Sequence, residues 1–197
     1  PQPILDRIIE WASARGLVQA GSVTARDLFD TELMACLTPR PSEVIRQFSE
    51  RYRRSPEEAT DWYYRFSKSS NYIRTDRIAK DVRYEADSRY GKMIVTINLS
   101  KPEKDPLAIA AAKNASAGGY PKCALCRENE GYAGTMTAAA RGNHRIIPIA
   151  LAGETWYFQY SPYVYYNEHC IVLHREHVPM KLCRATFTRL LDFVGSF

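Results

Sequence analysis

Two cysteines three positions apart and a later histidine form the most chemically suggestive group in this chain. Cys123 and Cys126 would lie on one tight turn, where two thiolates can bind the same tetrahedral metal ion, typically zinc. Four histidines could supply a third ligand: His144, His169, His174 and His177. His177 is preferred because it directly follows a predicted strand, in the turn before Val178 and Pro179, where a side chain can face a neighbouring strand.

The same cysteine pair has two other interpretations. Reduced thiols in an ordinary turn and a redox-active pair both fit a lone Cys-x-x-Cys. The five cysteines of the chain are odd in number and scattered, which disfavours a disulfide framework and indicates a reducing compartment. Cys170 beside His169 is a weak candidate nucleophile, because adjacent strand residues point to opposite faces. We expect Cys170 to be a packed strand residue.

Aromatic and basic residues suggest where a nucleotide or phosphate would bind. The aromatic residues between Trp156 and Tyr166 could form a stacking platform for a base, but strand cores also favour aromatic residues, so both interpretations stay open. Lys101 and Lys104 follow a predicted strand among prolines, which suits a phosphate-facing loop or a soluble strand edge. The sequence motifs of P-loop ATPases, Rossmann dehydrogenases and α/β-hydrolases do not occur.

Composition narrows the class of protein. With 197 residues, of which 45% are hydrophobic, the chain is ordinary for a globular protein and can bury one sizeable core. No apolar run approaches the roughly 20 residues that span a bilayer, and the N-terminal segment lacks a signal-peptide pattern. We therefore expect a soluble, cytoplasmic protein with no membrane partner. A net charge of +5 suits an anionic partner such as a nucleotide, a sugar phosphate or nucleic acid.

Helical periodicity dominates the first third of the chain. Residues 3–70 predict three or four short helices, because apolar residues recur there every three or four positions. Ser55-Pro-Glu-Glu58 is a strong helix start, since it combines a hydroxyl cap, an early proline and a glutamate that can reach back to the cap. Thr24 with Asp27 predicts a second start of the capping-box type.

The second part of the chain reads mainly as strands. Residues 69–90 are charged and weakly periodic, and we interpret them as a connection. Strands are predicted at 93–99, 145–151, 156–160 and 169–173, and helices at 108–115 and 183–197. This order favours an α+β fold, in which a helical N-terminal region (1–88) packs on a mostly antiparallel sheet in a second α+β domain (89–197).

Four blocks of the sequence carry a family resemblance: residues 96–105, 120–134, 143–148 and 156–180, the third of which reads Asn143-His-Arg-Ile-Ile-Pro148. On these blocks the chain resembles bacterial galactose-1-phosphate uridylyltransferases of the second class, which belong to the histidine-triad superfamily. The resemblance covers nearly the whole chain. It implies a histidine-triad-like sheet in the second domain, a role in galactose metabolism, and UDP-glucose and galactose 1-phosphate as substrates.

The resemblance also implies roles for particular residues. Four neighbours are expected along the uridine pocket: Phe158, Gln159, Tyr160 and Ser161. Gln159 stands where relatives often carry a ribose-binding aspartate. The first three zinc ligands of zinc-binding members are matched by Cys123, Cys126 and His177. Phosphate contacts are expected from Lys101 and Lys104.

The family's reaction is a double displacement. The second histidine of a His-x-His motif would take UMP from UDP-glucose, release glucose 1-phosphate, and then pass UMP to galactose 1-phosphate. No His-x-His occurs among the 197 residues, so no catalytic residue is assigned in this chain. We expect this polypeptide alone to be inactive and to lack the fourth metal ligand. A homodimer is a further expectation.

Two functions of other classes compete with this one. A helix-turn-helix-like N-terminal half and a basic surface would suit a nucleic-acid-binding module, although the same helices carry acidic residues such as Asp27 and Glu43, so we do not expect this partner. Tyrosine-rich strands would suit a protein–protein interface. DNA binding that weakens steeply with salt would favour the first alternative. Dimerisation without affinity for uridine nucleotides would favour the second.

Overall fold

The structure is a computed structural model that describes residues 2–99, 106–114, 123–164, 166–179 and 181–197. The helices in these residues are α1 (Gln2–Ala14), α2 (Val23–Leu37), α3 (Pro41–Tyr52), α4 (Pro56–Ser69), α5 (Thr75–Ile78), α6 (Pro106–Asn114) and α7 (Arg184–Ser196). The strands are β1 (Val82–Ser88), β2 (Gly91–Ile97), β3 (Ile147–Leu151), β4 (Glu154–Tyr160) and β5 (Cys170–His174). This order of helices and strands confirms the expected α+β fold.

Helix α4 begins where the sequence predicts it. The Ser55 side-chain oxygen accepts a hydrogen bond from the backbone N–H of Glu58 at 3.3 Å, and Pro56 occupies the first turn. The Glu58 carboxylate does not reach back to the cap; it forms an ion pair with Arg54 instead. The hydroxyl half of the predicted capping box is therefore present without the glutamate half.

The predicted start of α2 at Thr24 is wrong. Ser22 caps this helix, and its side-chain oxygen accepts a hydrogen bond from the N–H of Ala25 at 3.1 Å. Asp27, which we expected to reach back to the cap, forms an ion pair with Arg77. Ser22 has the extended backbone of an N-cap residue, whereas Thr24 already lies inside the helix.

The described strands form two antiparallel sheets. β3, β4 and β5 lie side by side in that order, and Phe158 pairs with Ile147 on one side and Val172 on the other. All four predicted strands are confirmed with small shifts at their ends. β1 is an additional strand in the stretch that we interpreted as a connection, and it pairs with β2 as a hairpin.

An aromatic core joins α3 and α4 to the three-stranded sheet. The rings of Phe48 and Tyr63 lie 6.2 and 5.4 Å from the ring of Phe158, measured between centroids. Phe193 of α7 adds a third ring at 5.9 Å. The core residues with at most 1% exposure are Val44, Ala59, Tyr63, Ile73, Ile147, Leu151 and Phe158. The helices therefore cover one face of the sheet.

A buried polar network ties α2 to the segment that follows α4. Asp30 is buried in α2 and accepts hydrogen bonds from Arg74 at 2.8 Å and from the side-chain amide of Asn71 at 3.0 Å. Arg74 also donates to the Thr31 hydroxyl at 3.0 Å. Removing either partner of this ion pair would leave an uncompensated buried charge, so Asp30 and Arg74 depend on each other where α2 meets this segment.

The β1–β2 hairpin contrasts with the packed sheet, because most of its side chains are exposed. The predicted division between residues 88 and 89 falls in its turn, so the hairpin spans both predicted domains, and the domain boundaries stay a prediction. Within the described parts of the chain, no helix is long and apolar enough to cross a membrane.

Candidate metal centre

A short turn and a 3₁₀ helix position the two cysteines. We call residues 123–126 the cysteine turn; the 3₁₀ helix Arg127–Asn129 follows it directly. Asn129 is buried, and its side-chain amide donates to the carbonyl oxygens of Cys123 at 2.6 Å and Cys126 at 3.0 Å. One asparagine therefore closes the cysteine turn by binding the backbone at both of its ends.

The two sulfur atoms are joined as a disulfide in this structure. We expected reduced thiols here, so this pair departs from the expectation, while Cys36, Cys170 and Cys183 are free. The N–H of Cys126 points at the sulfur of Cys123 at 3.2 Å. A hydrogen bond of this kind stabilises a thiolate once the pair is reduced, because it places a donor beside the negative charge.

The strand β5 and the turn after it bring His177 to the cysteine turn. Its Nδ1 atom lies 3.3 Å from the sulfur of Cys126, and its Nε2 atom lies 3.4 Å from a carboxylate oxygen of Glu128. Glu128 also faces the backbone N–H of Cys123 at 3.4 Å. A carboxylate on the far nitrogen is the usual outer partner of a metal-bound histidine, because it orients the ring and fixes its tautomer.

The donor set fits zinc. Among the residues that the structure describes, Cys123, Cys126 and His177 form a group of three whose ligand atoms all lie within 4.8 Å of one another. Two sulfurs and one imidazole nitrogen are soft and borderline donors, which zinc prefers and which magnesium and calcium do not. Three protein ligands leave one position of the tetrahedron for another group.

Two of the other three candidate histidines, His144 and His174, lie in different surroundings. His144 is buried against Tyr72, and burial lowers its pKa to about 3. His174 packs edge-on against Trp156 with ring centroids 5.0 Å apart, and its Nδ1 accepts a hydrogen bond from the Glu176 N–H. The preference for His177 as the third member of the group is therefore supported by where the structure places these rings.

The four residues expected along the uridine pocket, three at the end of β4 and Ser161 directly after it, are all buried, but those in β4 do not share one face. Phe158 and Tyr160 point into the aromatic core, and the Tyr160 hydroxyl donates to the carbonyl oxygen of Thr60 at 3.0 Å. Because side chains alternate along a strand, Tyr157 and Gln159 point the other way. We call these the core face and the turn face of β4. The uridine pocket stays a prediction.

On the turn face, β4 contacts the cysteine turn and the residue after it. Gln159 donates from its side-chain amide to the carbonyl oxygen of Leu125 at 3.1 Å. Arg127 donates to the Tyr157 hydroxyl at 3.1 Å. Ser161, at the end of the strand, is buried and donates to the carbonyl oxygen of Tyr163 at 2.9 Å.

The predicted phosphate candidates Lys101 and Lys104 lie outside the described residues. Cys170 is partly buried and packs against the core, and burial raises the pKa of its thiol, as expected for a packed strand residue. Sequence reasoning missed Glu128 and Asn129, which shape the cysteine turn. Their position directly after a Cys-x-x-Cys was the available signal, because asparagine and carboxylate side chains often bind nearby backbone N–H and C=O groups in turns.

The fold and the cysteine–histidine group define an α+β protein with a candidate zinc centre. Within that class, the chain belongs to the family described as galactose-1-phosphate uridyl transferase, N-terminal domain, which matches residues 1–179. This family membership confirms the resemblance found in the sequence. No solved structure is significantly similar to this chain.

Several curated relatives are similar over the whole chain. The chain is 56% identical over 198 residues to a galactose-1-phosphate uridylyltransferase of Halalkalibacterium halodurans, which covers 100% of this chain and 39% of that protein. It is 56% identical over 197 residues to one of Butyrivibrio fibrisolvens, covering 100% of this chain and 50% of that protein. It is 51% identical over 195 residues to a galactose-1-phosphate uridylyltransferase of Bacillus subtilis, covering 98% of this chain and 38% of that protein. The chain thus spans half or less of the length of these relatives.

Proposed function

We propose that this chain serves as the N-terminal part of a hexose-1-phosphate uridylyltransferase, which transfers UMP from UDP-glucose to galactose 1-phosphate. The observation that carries the proposal is the identity of 56% over the whole chain to relatives that are named galactose-1-phosphate uridylyltransferase. Identity at this level over the full length indicates that the fold and the residues around the site are shared.

The proposed reaction has two displacements on one phosphorus atom. An imidazole nitrogen attacks the α-phosphorus of UDP-glucose, a P–N bond forms, and the P–O bond to glucose 1-phosphate breaks. A phosphate oxygen of galactose 1-phosphate then attacks the same phosphorus, a P–O bond forms, and the P–N bond breaks. The attacking histidine is not assigned to any of the four histidines in this sequence.

We also propose that the reduced cysteine turn and His177 hold zinc. The thiolates of Cys123 and Cys126 and the Nδ1 atom of His177 would be the ligands, and Glu128 would hold the far side of the imidazole ring. Bound zinc would supply a cross-link between the cysteine turn and the end of β5. The chain's own contribution is to orient these three donors through Asn129 and Glu128.

Other expectations from the resemblance stay predictions. These are the uridine pocket along β4, the phosphate contacts of Lys101 and Lys104, a homodimer, and a cytoplasmic location. The nucleic-acid alternative gains no support from Arg46 and Arg51, two basic residues of α3. Arg46 pairs with Glu43 and Glu50, and Arg51 lies over the ring of Trp62 at 4.5 Å, so these cations already have local partners.

A hybrid enzyme would test the proposed function. This chain replaces the matched 198 residues of the Halalkalibacterium halodurans relative, and formation of UDP-galactose from UDP-glucose and galactose 1-phosphate is followed by mass spectrometry. We expect the hybrid to turn over and the 197-residue chain alone to be inactive. A folded hybrid that lacks activity, beside an active parent enzyme, would contradict the proposal.

A further inference from the structure

We propose that His144 and Gln159 are positioning residues that hold the cysteine turn in the shape that binds metal. The inference rests on the proposed metal site, and it assigns a role in that site to two buried polar side chains. His144 is 1% exposed and Gln159 is 2% exposed. Neither side chain is a metal ligand, so both act through the backbone of the turn.

Gln159 makes the contact with the turn. Its side-chain nitrogen donates to the carbonyl oxygen of Leu125 at 3.1 Å, and Leu125 lies between the two cysteines. Its side-chain oxygen is hydrogen-bonded to the Nε2 atom of His144. Gln159 pairs with Ile171 of β5, and its neighbour Phe158 pairs with both β3 and β5. The backbone of Gln159 is therefore held in the sheet, and its side chain links that position to the middle of the cysteine turn.

The hydrogen bonds determine which way each group points. A backbone carbonyl can only accept, so the nitrogen of the Gln159 amide must face Leu125, and its oxygen must face His144. An amide oxygen also can only accept, so the Nε2 atom of His144 must carry a proton. Burial lowers the pKa of His144 to about 3, which keeps the ring neutral and therefore places its one proton on Nε2.

His144 is itself held firmly. Its ring stacks on Tyr72 with centroids 4.0 Å apart and planes 17° apart. The preceding residue, Asn143, donates to the carbonyl oxygen of Ser70 at 2.8 Å, and the following residue, Arg145, donates to the carbonyl oxygen of Pro39 at 2.6 Å. The imidazole is thus anchored by stacking and by both sequence neighbours, so its Nε2–H has a fixed direction.

The second ring nitrogen of His144, Nδ1, bears on why an imidazole rather than an apolar ring occupies this position. The Nδ1 atom of His144 is buried and has no hydrogen-bond partner among the described residues. An unpaired buried nitrogen is unfavourable, and an apolar ring such as phenylalanine would stack on Tyr72 without this cost. The Nε2–H donated to Gln159 is what the imidazole adds. Both ends of the Gln159 amide are engaged, so this side chain links His144 to the cysteine turn through Leu125.

The test measures cobalt binding to the reduced, metal-free chain, read from the thiolate-to-cobalt absorption bands. Gln159→Leu removes both hydrogen bonds, and His144→Phe keeps the stacking but removes the donor. Outer partners of metal sites typically contribute about 10–100-fold in affinity, and we expect a loss of that order in both variants. His144→Gln, whose amide can donate to Gln159, should restore most of the affinity.

Thr31→Val is the matched control, because it removes a buried hydrogen bond from Arg74 without contacting the turn. We expect unchanged cobalt affinity in this variant. A second readout needs no metal: amide hydrogen exchange across residues 123–126 should accelerate in Gln159→Leu and His144→Phe, and not in Thr31→Val.

The outcomes separate this inference from the proposed metal site. If the wild-type chain shows no thiolate-to-cobalt bands, the metal site itself is wrong. If the wild-type chain binds cobalt and Gln159→Leu binds it equally well with unchanged exchange, the positioning role is overturned while the metal site stands. Equal losses of cobalt affinity in Gln159→Leu and Thr31→Val would show that the loss reflects general stability. That result would also overturn the positioning role.

Discussion

The two faces of strand β4 differ in chemistry and in what they contact. The core face places Phe158 and Tyr160 among the aromatic rings of α3, α4 and α7. The turn face places Gln159 and Tyr157 against the cysteine turn and the arginine that follows it. Apolar area is buried on one side, and directional hydrogen bonds are made on the other. Burial alone therefore does not say whether a strand residue serves stability or a site.

The largest expected effect is on the turn face, where one sulfur decides whether a metal binds. Cys126→Ser should abolish zinc binding, because oxygen replaces one of the three donors found among the described residues. Structural zinc sites contribute on the order of 10 kcal/mol of binding free energy. Zinc per chain, measured after purification under reducing conditions, should fall from about one to near zero.

The control for this variant is Cys36→Ser, which removes an exposed free thiol from α2. Its zinc content should equal that of the wild-type chain. An equal loss of zinc in both variants, or full retention of zinc in Cys126→Ser, would contradict this prediction. The cysteine turn would then not be the part of the chain that binds the metal.

The next effect lies on the core face. Phe158→Ala should lower the free energy of unfolding by about 3–5 kcal/mol, because it leaves a cavity between β4, α3 and α4 that the surrounding rings cannot fill. Urea unfolding of the reduced, metal-free protein measures this change. Phe187→Ala on the exposed side of α7 is the control, with an expected change within about 0.5 kcal/mol. A loss below about 1 kcal/mol for Phe158→Ala would show that this face is not the main core.

The smallest expected effect is the decrease in the free energy of unfolding that His144 causes as the pH falls. Burial lowers the pKa of His144 to about 3 from an ordinary value of 6.5, so the unfolded chain binds a proton below pH 6.5 that the folded chain does not. Stability supplied by the neutral ring is therefore present above pH 6.5 and is lost as the pH falls toward 3.

The corresponding measurement compares urea unfolding at two pH values. Between about pH 7 and about pH 5.5 this one group should remove about 1 kcal/mol from the free energy of unfolding. In His144→Phe the decrease should be smaller by that amount. The same decrease in both proteins would mean that His144 takes up its proton in the folded state, which would contradict its buried, neutral role.

The features that could be predicted from the sequence are those that depend on local patterns of residues. The Ser55 cap, the strands around Ile147 and Phe158, and the Cys123/Cys126 spacing all depend on residues close together in the chain. β1 was missed because its charged residues were interpreted as a connection, although Arg83, Glu85 and Asp87 recur at every second position as in a strand. Most of its side chains are exposed.

The remaining features depend on contacts between distant residues. Gln159 meets Leu125 across 34 positions and His144 across 15, and no spacing rule predicts either contact. The uridine pocket stays a prediction, and strand alternation, which sends Phe158 and Gln159 to opposite faces, is a local rule that does not say what each face contacts. The family resemblance supplied a function but could not show which side of the strand each residue occupies.

The most direct test of the proposed zinc site is X-ray absorption at the zinc edge, measured on the chain purified under reducing conditions. We predict two sulfur neighbours at about 2.3 Å, with nitrogen or oxygen at about 2.0–2.1 Å completing four ligands. Zinc bound only by nitrogen and oxygen would contradict the account, because the cysteine turn would then play no part in the site. Absence of zinc, with the Cys123–Cys126 disulfide persisting in reductant, would contradict it equally.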